Sequence, residues 1–207
     1  MPKSSRQPDL FAERACLPAG FRYVEDFLSV ADETAVLAEI ARLPFDNARY
    51  KEWTANRRVV SYGGRYDFGS SELVPAEPIP PFLFDLRAAA AGFVGVPPAE
   101  LTHALVAEYR GATQLGWHRD VPEFELVVGI SLLGPARMRL RRYPHRAHSG
   151  SRSLVVDLAP RSIYSLVGEA RWGWQHAISP TPGLRYSITF RSLRPGSRNG
   201  VPARGTA

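Results

Sequence analysis

The stretch LGWHRDVPEF sets His118 and Asp120 one residue apart, just before the apolar run Leu126-Val127-Val128-Gly129-Ile130. A carboxylate in apolar surroundings needs a partner, so Asp120 is expected to be paired or to hold a cation. If the stretch is a strand, His118 and Asp120 share a face and Arg119 points away. Two ligands do not make a tight site. A third candidate, His176 in GWQHAISP, falls on a late strand. A lone His-x-Asp is more often a satisfied polar pair, so the residues downstream must decide.

Two histidines and one carboxylate on one side of an iron, with positions left open, are a facial triad. Downstream, RYSITFR sets Arg185, Ser187, Thr189 and Arg191 on one strand face and Tyr186, Ile188 and Phe190 on the other. A small-or-charged face in a core strand needs a reason. A bound dicarboxylate would supply one, because guanidinium groups grip carboxylates in pairs of hydrogen bonds. Ser131 and Cys16 have no base nearby in sequence, so nucleophilic catalysis lacks a candidate set.

These residues need a scaffold. At 207 residues the chain fits one domain with room for a core. Its single cysteine rules out an internal disulfide framework and is consistent with a cytoplasmic setting. Neither a secretory h-region nor a run of roughly 20 apolar residues is present, so no membrane is expected. The net charge of +6 favours anionic partners.

The pattern predicts a polar tail over 1–20, a helical flank over 21–100, a β core over 101–195 and a tail over 196–207. Helices are expected near Val30–Leu43 and Pro81–Val94, with turns and short strands over 45–81. Eight strands follow: His103–Tyr109, Leu115–Arg119, Glu125–Leu133, Arg137–Tyr143, Ser153–Leu158, Ser162–Val167, Arg171–Ile178 and Leu184–Leu193. Short strands at this spacing predict a jelly roll or sandwich.

His118-x-Asp120, His176 and Arg185-x5-Arg191, in this order, resemble the AlkB family of Fe(II)/2-oxoglutarate dioxygenases. Tyr109 stands nine residues before His118, as the family's cosubstrate-binding tyrosine does. RYSITFR resembles the family's R-x-N-x-T-F-R block, and RRVVSYGGRYDF the segment leading into its nucleotide-recognition lid. The resemblance spans roughly residues 57–194. It implies an α+β fold: a double-stranded β-helix, or jelly roll, with N-terminal buttressing helices. It implies Fe(II) on His118, Asp120 and His176, with 2-oxoglutarate and O2 as cosubstrates. Tyr109, Arg185, Ser187 and Arg191 would bind 2-oxoglutarate, with Arg185 and Tyr109 at its distal carboxylate and Arg191 nearer the metal.

The implied activity is oxidative dealkylation of N-alkylated bases in DNA or RNA by a monomer, as in repair by demethylation. Arg57, Arg58 and Arg65 would contact phosphates, and Tyr62 or Tyr66 the base. The alternatives are a protein side chain or small molecule as substrate, or a non-catalytic module that binds nucleic acid. Two positions depart from the family: Ala107, where an asparagine often precedes the tyrosine by two, and Ser187, where the last block has asparagine.

ARMRLRRYPHRAH places Arg137, Arg139 and Arg141 on one strand face, with Arg142 and Arg146 near the turn. It reads equally as a solvated face or as a basic ridge for a phosphate backbone. Trp117, Trp172 and Trp174 are expected to pack rather than stack on bases. His103, His145 and His148 lack partners at ligand spacing.

Overall fold

The structure, a computed structural model, describes residues 17–50, 53–67, 69–70, 72–145 and 153–197, without the side chains of 48–50 and 53–56. Cys16, Arg146 and His148 lie outside the described residues, as do 1–15 and 198–207.

Helix α1 spans Val30–Ile40. Ser29 caps it by accepting from the Asp32 amide at 3.1 Å, and Asp32 returns a bond to the Ser29 amide. This reciprocal pair satisfies donors that a helix start leaves open. The helix stops short of Leu43 because the chain tightens there, with the Leu43 amide donating to Ile40. Helix α2, Phe84–Val94, follows a 3-10 turn at Pro81–Leu83 and ends at Gly95, whose φ of 75° suits glycine.

The main sheet has seven antiparallel strands. In spatial order they are β1 (Phe21–Val24), β11 (Ser162–Leu166), β8 (Phe124–Leu132), β13 (Arg185–Leu193), β6 (His103–Tyr109), β3 (Trp53–Tyr62) and β2 (Asp46–Tyr50). A second sheet runs β10 (Leu154–Leu158), β9 (Ala136–Arg142), β12 (Trp174–Ile178) and β7 (Leu115–His118). Arg65–Asp67 and Glu72–Val74 form a small hairpin, β4 and β5. The two larger sheets face each other as a jelly roll, with the helices behind the first.

Two apolar clusters follow from this layering. One joins Val36, Ile40, Leu83 and Leu86 of the helical layer to Val106, Ile188 and Phe190 of the main sheet. The other lies between the sheets and includes Ala107, Val127, Met138, Leu140 and Leu158.

Three expectations are corrected. Residues 53–62 form a ten-residue strand paired to β6, where the sequence pattern predicts turns and short strands. Its residues are not notably apolar, but its amides and carbonyls are satisfied by the sheet. Phe21–Val24, expected in the helical flank, is instead an edge strand. The strand expected from Arg171 begins at Trp174, because Glu169–Trp172 makes a helical turn, α3, closed by the Gly173 amide donating to Glu169.

Candidate functional site

His118 ends β7 and His176 sits directly opposite it in β12. Their rings are 4.1 Å apart between centroids. The candidate ligand atoms of His118, Asp120 and His176 all lie within 4.8 Å of one another. The strand ends at His118, so strand alternation alone does not place Asp120. Two arginines do. Arg191 Nε donates to Asp120 Oδ1 at 2.9 Å. Arg171 is 2% exposed and sends Nη2 to the carbonyls of Asp120, Val121 and Phe124 at 3.1, 2.7 and 2.9 Å. It ties together the carbonyls of the loop after His118.

The protonation states suit a cation. His118 Nδ1 lies 2.8 Å from the Gly116 carbonyl, which can only accept, so Nδ1 carries the proton and Nε2 keeps its lone pair. Burial, reinforced by neighbouring His118, holds His176 down to about 3. Burial likewise lowers His118. Burial opposes ionisation of Asp120, but Arg191 and the two histidines hold its carboxyl well below the usual range. Two neutral imidazoles and one carboxylate are a donor set for iron with open positions.

The triad opens into a cavity that is also lined by Tyr109, Arg185, Ser187, Arg191 and Arg57. Arg185 is 1% exposed. Its Nε donates to Ser131 Oγ at 3.1 Å and its guanidinium lies 4.8 Å from the centre of the Tyr109 ring, its cross-strand neighbour. Its Nη1 is buried without a hydrogen-bond partner, and no carboxylate pairs with it among the described residues. A buried cation in that state is costly unless an anion joins it. Burial opposes ionisation of the Tyr109 hydroxyl, yet Arg57 and Arg185 beside it bring its pKa below the ordinary value. The cavity thus fits a carboxylate ligand at one end and a cation at the other.

Ser187 and Ala107, the two departures from the family pattern, are cross-strand partners that both line the cavity. They make one smaller, less polar patch of wall rather than two separate changes.

The expected lid residues separate. Arg57 enters the cavity, with Nη1 3.4 Å from the Tyr109 hydroxyl. Its neighbour Arg58 points to the other side of β3 and holds Glu108 through bonds of 2.8 and 2.9 Å. Tyr62, 8% exposed, belongs to the helix-side core. Tyr62, expected at the base, thus packs in the core, and Arg58, expected at a phosphate, is held in an ion pair on the side away from the cavity. Strand alternation is the reason. Arg65 is exposed and Tyr66 half-buried on β4.

Two site residues carry no spacing signal in the sequence. One is Arg171. The other is Tyr164, which lines the cavity from β11 and whose hydroxyl burial pushes up to about 12. A Cβ on Gly129 would sit 2.2 Å from the Tyr164 ring, so this glycine is what lets the tyrosine lie across β8. A glycine inside the apolar run is the only hint of it in the sequence.

Comparison with known proteins agrees with this geometry. Residues 20–191 match the family described as the 2OG-Fe(II) oxygenase superfamily. The chain is 29% identical over 180 residues to an Arabidopsis thaliana protein described as "Alkylated DNA repair protein ALKBH8 homolog". That match covers 77% of this chain and 50% of the relative, so the chain spans about half the relative's length. The structure of OsALKBH1 superposes with a TM-score of 0.64 at 18% identity, covering 86% of this chain and 98% of the other. A Trichoplax adhaerens prolyl hydroxylase, solved with a hypoxia-inducible-factor peptide fragment, gives 0.57 at 16% identity, covering 84% and 83%. These two likenesses establish the jelly-roll fold. No helix among the described residues is long and apolar enough to cross a membrane. With a family match across most of its length, an AlkB-like relative and a fitting His-Asp-His site, the chain belongs to the 2OG-Fe(II) oxygenase superfamily, as a dioxygenase that uses Fe(II), 2-oxoglutarate and O2.

Proposed function

We propose that this chain removes alkyl groups oxidatively from N-alkylated bases in DNA or RNA. The observation that carries the reading is the content of one cavity: a neutral-histidine, ionised-aspartate triad facing a buried Arg185 with an unpartnered Nη1. In this reading His118, Asp120 and His176 hold the metal. Bound Fe(II), with 2-oxoglutarate and O2, supplies the oxidising power that hydroxylates the alkyl carbon.

The chain's own residues position and shield. Arg185 receives the distal carboxylate of 2-oxoglutarate, and the Tyr109 hydroxyl donates to the same end. Ser187 offers one hydroxyl along the wall. Arg191 stands at the metal end and keeps Asp120 ionised through its 2.9 Å contact. Arg57, beside the Tyr109 hydroxyl in the cavity wall, faces the incoming substrate. A base must leave a duplex, or be presented single-stranded, to reach the cavity. The relative described as an alkylated DNA repair protein homolog supports an alkylated base as substrate. The net charge of +6 supports a polyanion.

The test is mass spectrometry of mixed alkylated oligonucleotides after incubation with Fe(II), 2-oxoglutarate and ascorbate. The expected result is loss of an alkyl mass from at least one of them. Succinate formation with every oligonucleotide intact would move the substrate to a protein side chain or a small molecule. Binding without any succinate would make the chain a non-catalytic module.

A further inference from the structure

Several surface arginines are neutralised by carboxylates. Arg137 pairs with Asp157 at 2.8 Å, Arg142 with Glu169 at 3.4 Å, and Arg58 and Arg110 with Glu108. On the outer face of the four-stranded sheet, beside the Arg137–Asp157 pair, two arginines differ. Arg139 and Arg141 on β9 lie opposite Ala177 and Gln175 of β12, so all four share that face. Trp117 of β7 meets both arginines across β12, with guanidinium carbons 5.0 and 4.3 Å from the ring centre. Small Ala177 keeps the way between them low. Arg141 Nε donates to Gln175 Oε1 at 2.8 Å and Arg139 Nη2 to Ser153 Oγ at 3.4 Å.

These partners are neutral. Among the described residues neither Arg139 nor Arg141 has a carboxylate in ion-pair range, and neither does Arg119. Each guanidinium is thus held in place by stacking and a neutral acceptor while it keeps its charge and spare donors. Such pre-ordering lowers the entropy lost when an arriving anion fixes a long side chain. The two arginines stand two residues apart on a strand, roughly 6.6 Å, an interval similar to that between phosphates of an extended strand.

The face is also continuous with the site. β7 and β12 carry His118 and His176 inward, and β7 is the sheet's edge. Arg119, beside His118, stacks on Tyr143 at 3.7 Å.

We infer that this outer face docks the phosphodiester backbone of single-stranded nucleic acid, with Arg139 and Arg141 as its grips. Resting on the function proposed above, the inference gives that substrate a path: the base enters the cavity and the flanking backbone rounds the edge at β7.

The test compares wild type, Arg139→Gln/Arg141→Gln, the same pair changed to lysine, and Arg137→Gln/Asp157→Asn. Anisotropy reads the binding of a single strand of about 16 nucleotides across a salt series. The glutamine pair should weaken binding and lower the salt slope by about 0.7 for each phosphate no longer gripped. The lysine pair should keep the slope, and Arg137→Gln/Asp157→Asn, which removes a pair of no net charge, should leave binding unchanged. Turnover of a free alkylated nucleoside should be equal in all four. Unchanged affinity and slope in the glutamine pair, with nucleoside turnover intact, would overturn the ridge and leave the proposed function standing. Wild type that neither binds the strand nor turns over any alkylated base would overturn both.

Discussion

The two faces of β13 are built for different tasks on one backbone. Ile188 and Phe190 are fully buried against the helical layer and the apolar residues of β6 and β8. Arg185, Ser187, Thr189 and Arg191, one residue out of phase, line the cavity between the sheets. Burying Phe190 removes apolar area from water and stabilises the fold. Burying Arg185 works against folding until an anion arrives. Strand alternation thus separates the residues that hold the protein together from those that hold its ligands, by a single step along the chain.

The sharpest way to break this comparison is to exchange its consequences. Phe190→Ala should destabilise the protein by about 3–5 kcal/mol, read by urea denaturation, and leave the half-saturating 2-oxoglutarate concentration of the folded fraction nearly unchanged. Arg185→Ala should do the reverse. A bound carboxylate without its counter-ion loses on the order of 3–5 kcal/mol, so the half-saturating concentration should rise more than a hundredfold. If both variants lost stability and affinity alike, the division between the faces would be wrong.

A smaller effect concerns the loop that presents Asp120. Arg171→Lys keeps the charge but cannot reproduce the three bonds to the carbonyls of 120, 121 and 124. Removing a group that orients a metal ligand typically costs about 10–100-fold in metal affinity. Anaerobic Fe(II) titration should show a loss in that range. Equal affinity would mean that Arg191 alone suffices to place Asp120.

The smallest expected effect is a pH slope. His103 lies on the cavity-side phase of β6, its ring packed on Phe124, and burial with nearby Arg191 lowers it to about 4. As pH falls from about 6.5 towards 4, the unfolded chain takes up a proton that the folded chain refuses, so stability falls with pH. His103→Gln should be less stable at neutral pH and show a shallower loss over that window in thermal melts. An unchanged slope would assign the acid sensitivity to other groups.

The triad and arginine block are legible in the sequence because they rest on short periodicities: one residue between His118 and Asp120, five between Arg185 and Arg191. The β core is legible for the same reason, and His103–Tyr109 is a strand with the expected bounds. What escapes is set by tertiary contact. Arg171 stands where the pattern predicts the start of a strand, yet it acts on a loop some fifty residues away through the main chain, which leaves no side-chain pattern. Tyr164 reaches the cavity only because Gly129, on a different strand, is bare. The stretch from Arg57 to Tyr62 reads as a loop in which neighbours act together. As a strand it sends Arg57 to the cavity, and Arg58 and Tyr62 to the opposite face. The arginine ridge on β9 is visible as an alternation, but which members keep their charge depends on where Asp157, Gln175 and Trp117 fall.

The most direct test of the account is an anaerobic calorimetric titration of 2-oxoglutarate into wild type and Asp120→Ala, each with and without Fe(II). One cavity that holds metal and cosubstrate together predicts that Fe(II) strengthens 2-oxoglutarate binding in wild type and that Asp120→Ala abolishes this coupling, while Arg185 remains in place. Equal 2-oxoglutarate affinity with and without Fe(II) in wild type would contradict it.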